Sequence, residues 1–126
     1  MNKNKITYQG IPGSFSYTVA LKFFGKNNIF LGVKNFEEIF IKLKNKTADF
    51  GVLPIENSIA GSVYENYNFL SKYKTKIIGE AYLKIEHNLL GIKIPKIKKS
   101  KRIKMITKVF SHYKALEQCS NFFKKY

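Results

Sequence analysis

Glu56 and Asn57 stand side by side in PIENSIAGSV, after a run that reads as a buried strand, DFGVL, and before one that reads as a helix, SVYENYNFL. A carboxylate can work as an acid or base, and an amide can donate and accept without changing charge. The same pair can also fasten a turn by bonding to local backbone, and spacing alone leaves both readings open. Gly13-Ser14, Gly61-Ser62 and Ser111 share a second theme, a small or hydroxyl residue at an expected helix start directly after an expected strand. Unpaired N–H groups and the helix dipole can hold an anion there, although plain N-capping explains any one of them. His87 reads as a strand histidine satisfied by a backbone carbonyl, His112 as a first-turn residue facing water, and Cys119 as a small core residue in mid-helix. One cysteine and two histidines give neither a disulfide framework nor a metal-ligand spacing, so no metal or cofactor is expected.

The elements that must position these residues alternate. KITYQ (5–9) reads as a strand closed by the turn GIPG. From Ser14, SFSYTVALKFFG reads as a helix with Phe15, Val19 and Phe23 on its apolar face and Gly25 as its stop. IFLGV (29–33) is a second strand. Asn35 with Glu38 forms a capping-box-like pair ahead of a stripe of Phe36, Ile39, Phe40 and Leu43. DFGVL is a third strand, followed by a helix from about Ser62 to Tyr73. This β-α-β-α-β-α order predicts a mostly parallel sheet, with ligands at the carboxyl ends of the strands, where GIPGS and PIENSIAGS fall. Residues 76–92 and 103–110 read as further strands, and 111–125 as a helix with Ser111 as N-cap and Leu116, Cys119 and Phe123 on its apolar face.

The 126 residues suit one domain or two small lobes. No run of about 18 apolar residues occurs, and the polar opening MNKNK is unlike a signal peptide, so the sequence predicts a soluble, cytoplasmic protein with no membrane partner. The net charge of +15 raises the possibility of nucleic acid. Yet all 23 basic residues except Arg102 are lysine, whereas arginine supplies the bidentate contacts of selective recognition. The joint abundance of Lys, Asn, Ile, Tyr and Phe fits A and T rich codons, which accounts for the charge ahead of a nucleic-acid surface. The run KIPKIKKSKRIK, 93–104, with seven basic residues in twelve, reads as a solvated loop, with anion steering or nucleic-acid contact as functional alternatives.

Four blocks, ITYQGIPGSFS, ADFGVLPIENSIAGSV, HNLLGI and SHYKALEQC, in this order and at these separations, resemble the prephenate dehydratase domain from about Ile6 to Cys119. The resemblance implies a two-lobe α/β fold like that of periplasmic binding proteins, with the active site in the cleft between lobes, residues 1–78 forming the first lobe and 79–126 part of the second. It implies a cytosolic lyase of phenylalanine biosynthesis that converts prephenate to phenylpyruvate, losing water and carbon dioxide. Glu56, Asn57 and Gln118 match catalytic positions of that family, and Gly13, Ser14, Ser58 and Ser111 match substrate-binding ones. A homo-oligomer is compatible with the resemblance.

Helix N-termini and hydroxyls suit a substrate with two carboxylates, and Asn57 and Gln118 can orient a dianion as neutral donors. An ionised Glu56 would repel it, which favours a positioning role over a general-acid role. The chain departs from the family's Ser-His-Pro-Gln-Ala-Leu at Tyr113 and Lys114. The family's Thr-Arg-Phe motif, which carries its catalytic threonine, lies beyond Tyr126, so the expectation is an amino-terminal part of the domain, with a carboxy-terminal part missing. A decayed relative that binds an anion or partner without catalysis is the first alternative, and a basic nucleic-acid-binding module the second.

Overall fold

Helix periodicity and β-branched runs place most of the first 73 residues as the sequence implies. The computed structural model describes residues 3–58, 61–92 and 95–126. Two compact units result, Met1–Lys84 and Ile85–Tyr126.

In the first unit, β1 (Lys5–Gln9), α1 (Phe15–Phe24), β2 (Ile29–Val33), α2 (Phe36–Lys44) and β3 (Phe50–Val52) form a three-stranded parallel sheet in the order β2-β1-β3. The register sets Thr7 beside both Leu31 and Gly51. Alternate residues of β1 therefore meet opposite helices. On one face Tyr8 packs on Tyr17 of α1 with ring centroids 5.2 Å apart, and Phe50 packs on Phe24 at 5.1 Å. On the other face α2 buries Ile39 and Phe40 fully, with Val33, Phe36 and Leu43 around them.

The apolar face of α1 differs from expectation. Tyr17, Ala20 and Phe24 turn inward, while Phe15 and Phe23 are about half exposed. Both stripes are apolar, and the sheet selects the one whose aromatic rings reach Tyr8, Phe30 and Phe50. Phe23 instead lies over Gly79, where an added Cβ would come within 2.7 Å of its ring.

The α2 cap forms as its residues dictate. Asn35 Oδ1 accepts from the Glu38 amide at 3.0 Å, and the Asn35 side-chain amide donates to Glu38 Oε1 at 2.7 Å. Helix α3 (Tyr64–Tyr73) packs on α2 through Phe69 and Tyr73, whose rings lie 5.5 Å from that of Phe40. Outside this aromatic contact, Lys72 and the Tyr73 hydroxyl both donate to Glu37 Oε1, at 2.7 and 2.8 Å. The Lys72 hydrogen bond, seconded by that of Tyr73, holds the Glu37 carboxyl below its ordinary range. The same contact raises Lys72 and Tyr73 above theirs.

Between β3 and α3 the chain makes a small hairpin instead of a simple turn, β4 (Glu56–Asn57) against β5 (Gly61–Ser62), with 59 and 60 outside the described residues. Ser62 thus belongs to a strand, and the N-cap of α3 is Val63, which makes no side-chain cap. The Gly61-Ser62 helix start is corrected accordingly.

The later strands do not form. Residues 75–92 and 106–112 carry no strand, since a strand's amides and carbonyls need a neighbouring ladder and no described residue supplies one. Ile78, Leu90 and Ile92 of the first of these segments are exposed. The second unit contains α4 (Lys99–Ile103), α5 (Tyr113–Gln118) and α6 (Ser120–Phe123). Part of the lysine run is therefore helical, with 93 and 94 outside the described residues. The expected 111–125 helix is split at Cys119, which is half-buried at the junction. Its N-cap is His112 and not Ser111, because the His112 ring Nδ1 accepts from the Lys114 amide at 3.3 Å. No described helix is long and apolar enough to cross a membrane.

Candidate functional site

Because β1, β2 and β3 run parallel and adjacent, the segments that leave them emerge at one edge of the sheet, the edge at which such sheets bind ligands. After β1 the chain turns through Gly10 and Gly13, at φ 110° and 93°, conformations that only glycine adopts cheaply. The Gly10 amide donates to the Val33 carbonyl at 2.8 Å and ties this turn to the end of β2. A hollow of about 670 Å³ opens there, lined by Gly10, Ile11, Gly32, Val33, Lys34 and Glu38. Ser14 caps α1, its Oγ accepting from the Tyr17 amide at 3.3 Å.

After β3 comes the turn that carries Glu56 and Asn57. Glu56 is exposed opposite Ser62, Asn57 is half-buried opposite Gly61, and Ser58 is exposed. Two bonds from α3 and its cap hold the approach to this hairpin. The Val63 amide donates to the Ile55 carbonyl at 2.9 Å, and the fully buried Asn66 donates its side-chain amide to the Pro54 carbonyl at 2.7 Å. The topology thus gathers Gly13, Ser14, Glu56, Asn57 and Ser58 onto segments that leave one sheet edge.

In the second unit, Gln118 is the last residue of α5, and its Oε1 lies 2.7 Å from His87 Nε2. A carbonyl oxygen only accepts, so His87 donates, as the Nε2-protonated ring or as imidazolium. His87 therefore meets a side chain through Nε2, and it does so from a segment without strand structure. Ser111 is exposed one residue ahead of the α5 cap. Among the described residues no cluster of His, Cys, Asp and Glu could hold a metal ion.

The sequence model of prephenate dehydratase matches residues 6–126. The chain belongs to the prephenate dehydratase family. It is 41% identical over 120 residues to the Arabidopsis thaliana protein named arogenate dehydratase/prephenate dehydratase 1, chloroplastic, covering 95% of this chain and 29% of that protein. It is 36% identical over 133 residues to a bifunctional chorismate mutase/prephenate dehydratase of Buchnera aphidicola, covering 99% of this chain and 33% of that one. The chain therefore spans about a third of the length of these curated relatives. The X-ray structure of prephenate dehydratase from Streptococcus mutans superimposes with a TM-score of 0.52 at 38% identity, over 55% of this chain and 36% of that one. The α/β fold with its parallel sheet is accordingly that of a prephenate dehydratase domain in part.

Sequence reasoning passed over Asn66 and the hollow beside Lys34, and gave His87 a structural place only. The signal for Asn66 was its position: Phe69, Leu70 and Tyr73, at i+3, i+4 and i+7, form the buried stripe of α3, so residue 66 had to face inward. Nothing local marks His87, whose partner lies 31 residues away.

Proposed function

We propose that the chain serves prephenate dehydration, the conversion of prephenate to phenylpyruvate, and that it acts in the cytoplasm as part of phenylalanine biosynthesis. The observation that carries this reading is the family match along residues 6–126. In the reaction, the bond to the ring carboxylate breaks to release carbon dioxide. Its electron pair enters the ring, and the hydroxyl across the ring leaves as water once a donor supplies a proton. Decarboxylation then asks for an oriented, partly desolvated carboxylate, and dehydration for a donor at the leaving oxygen.

In this reading Asn57 and Gln118 are the neutral donors that orient the dianion, and Glu56 positions the hairpin and its neighbours. Gly13, Ser14, Ser58 and Ser111 are the residues assigned to substrate binding. Ser14 contributes through the backbone at the start of α1, because its hydroxyl already caps the helix. Lys34 beside the hollow and the net charge of +15 raise the local concentration of an anion. That charge favours prephenate, with two negative charges, over arogenate, in which an ammonium replaces the oxo group and leaves one net negative charge. Arogenate is named for several plant relatives, so it is the competing substrate.

The test is phenylpyruvate formation by the purified 126-residue chain from prephenate, beside phenylalanine formation from arogenate. Turnover of prephenate above its acid-catalysed background, abolished in Asn57→Ala, supports the proposal. Turnover of arogenate alone replaces the substrate. Binding of prephenate without turnover of either compound supports the non-catalytic relative instead.

A further inference from the structure

The second unit holds two family-like blocks, HNLLGI and SHYKALEQC, and a side-chain hydrogen bond joins them. His87 Nε2 donates to Gln118 Oε1 at 2.7 Å, across 31 residues of sequence. A glutamine amide has two chemically opposite ends of nearly equal shape, and a half turn about its last torsion exchanges donor for acceptor. Whichever end faces an anion decides whether the residue attracts or repels it. A histidine N–H fixed on the oxygen end removes that ambiguity.

We propose that His87 is a positioning residue that sets the polarity of Gln118, so that the amide presents its NH₂ end to the substrate. The inference rests on the reading of Gln118 as a substrate contact. His87 touches no reacting atom in this scheme; it acts through the amide. Its place in a segment without strand structure gives it a reason to be histidine: the ring is wide enough to reach across to α5 and carries a donor at its far nitrogen. Capture by His87 also restrains the rotamers of Gln118 before substrate arrives, which lowers the ordering cost of binding.

The chain has only two glutamines, Gln9 and Gln118, so selective ¹⁵N labelling of glutamine side chains gives two amide signals that Q118A assigns. His87→Phe keeps a ring and removes the donor, whereas His87→Gln places an amide nitrogen where Nε2 sits. The expected result is a Gln118 signal displaced in H87F and restored in H87Q, where the introduced glutamine adds a third signal that H87Q/Q118A tells apart, with Gln9 unmoved. Prephenate should shift the Gln118 signal of the parent chain and bind H87F about five- to tenfold more weakly, with H87Q recovering most of the loss. A Gln118 signal unmoved by H87F overturns the proposal, whatever prephenate does. A signal that moves in H87F, yet does not respond to prephenate in the parent chain, leaves the hydrogen bond standing and overturns the substrate contact on which the inference rests. Equal loss in H87F and H87Q, with Gln9 also displaced, marks His87 as a general structural residue and overturns the positioning role.

Discussion

The side-chain amide of Asn66 donates to the carbonyl oxygen of Pro54 over 2.7 Å, from a position with no solvent exposure. Helix α3 thereby holds the turn that carries Glu56 and Asn57. The bond spans two structures that could otherwise move separately, a helix packed on α2 and a hairpin only two residues deep on each side.

Asn66→Ala should therefore cost more than a surface change. It leaves the Pro54 carbonyl without its donor in a part-buried setting, a loss of about 1–3 kcal/mol. Urea denaturation should register the loss, and hydrogen exchange at the Val63 amide, bonded to the Ile55 carbonyl, should quicken. Unchanged exchange at Val63 would show that the hairpin does not depend on the clamp.

Ser14→Ala separates stability from recognition. Loss of the bond from the Tyr17 amide should lower stability by about 1 kcal/mol, while Ser14→Gly should lower it by only a few tenths. If backbone N–H groups hold the anion, prephenate affinity measured below the unfolding transition should change little in Ser14→Ala. A large loss of affinity would assign the hydroxyl itself to the substrate.

Gly51→Ala tests the α2 face of the sheet. A Cβ there would lie 2.6 Å from Cγ2 of the fully buried Ile39 and 3.2 Å from Cδ1 of the partly buried Leu43. Removing a glycine restricts the unfolded chain and gains about 0.4–1 kcal/mol, whereas overpacking a core costs about 1–3 kcal/mol, so the net sign is destabilising. Thermal unfolding should show a lower midpoint, and Ile39→Leu in the same chain, which carries no methyl on Cβ, should recover part of it.

The Glu37 contact predicts a pH dependence. Its carboxyl is held below the ordinary range, chiefly by the Lys72 hydrogen bond, so its stabilisation is fully present above the unfolded-state value and is lost as pH falls through the folded one. Lys72 is raised by the same bond, so its share persists through neutral pH and is lost as pH rises through its folded value. The stability difference between the parent chain and Glu37→Gln should be small because the pair is exposed. It should be greatest around neutrality and should vanish in strong acid. A difference that survives strong acid would assign the effect of Glu37 to packing.

What the sequence disclosed was what neighbours in the chain decide. Asn35, Glu38 and the stripe from Phe36 to Leu43 specify α2 within a single helix, and the structure reproduces them. On α1 the choice between Phe15-Val19-Phe23 and Tyr17-Ala20-Phe24 belongs to the sheet, so periodicity could not make it. Residues 76–92 have the composition of a strand, but a strand exists only with a partner. The β4–β5 hairpin is too short to show a period. The types of Glu56 and Asn57 were legible, yet their support was not, since Asn66 acts from 12 residues beyond Pro54.

The sheet order has a consequence for how the chain is made. β1 is synthesised before β2 and β3 and lies between them, yet its start is tied to Asn28, 24 residues later, and to Asp49, 44 residues later. At a synthesis rate of about 5–20 residues per second, Ile6 and Tyr8 wait on the order of seconds for both neighbours. Helix formation takes about a microsecond, so synthesis, and not the folding of α1 or α2, sets the time at which the ladder can close. Of the three strands of this sheet, β1 therefore waits longest for its partners, and closure of its second side depends on the arrival of Phe50.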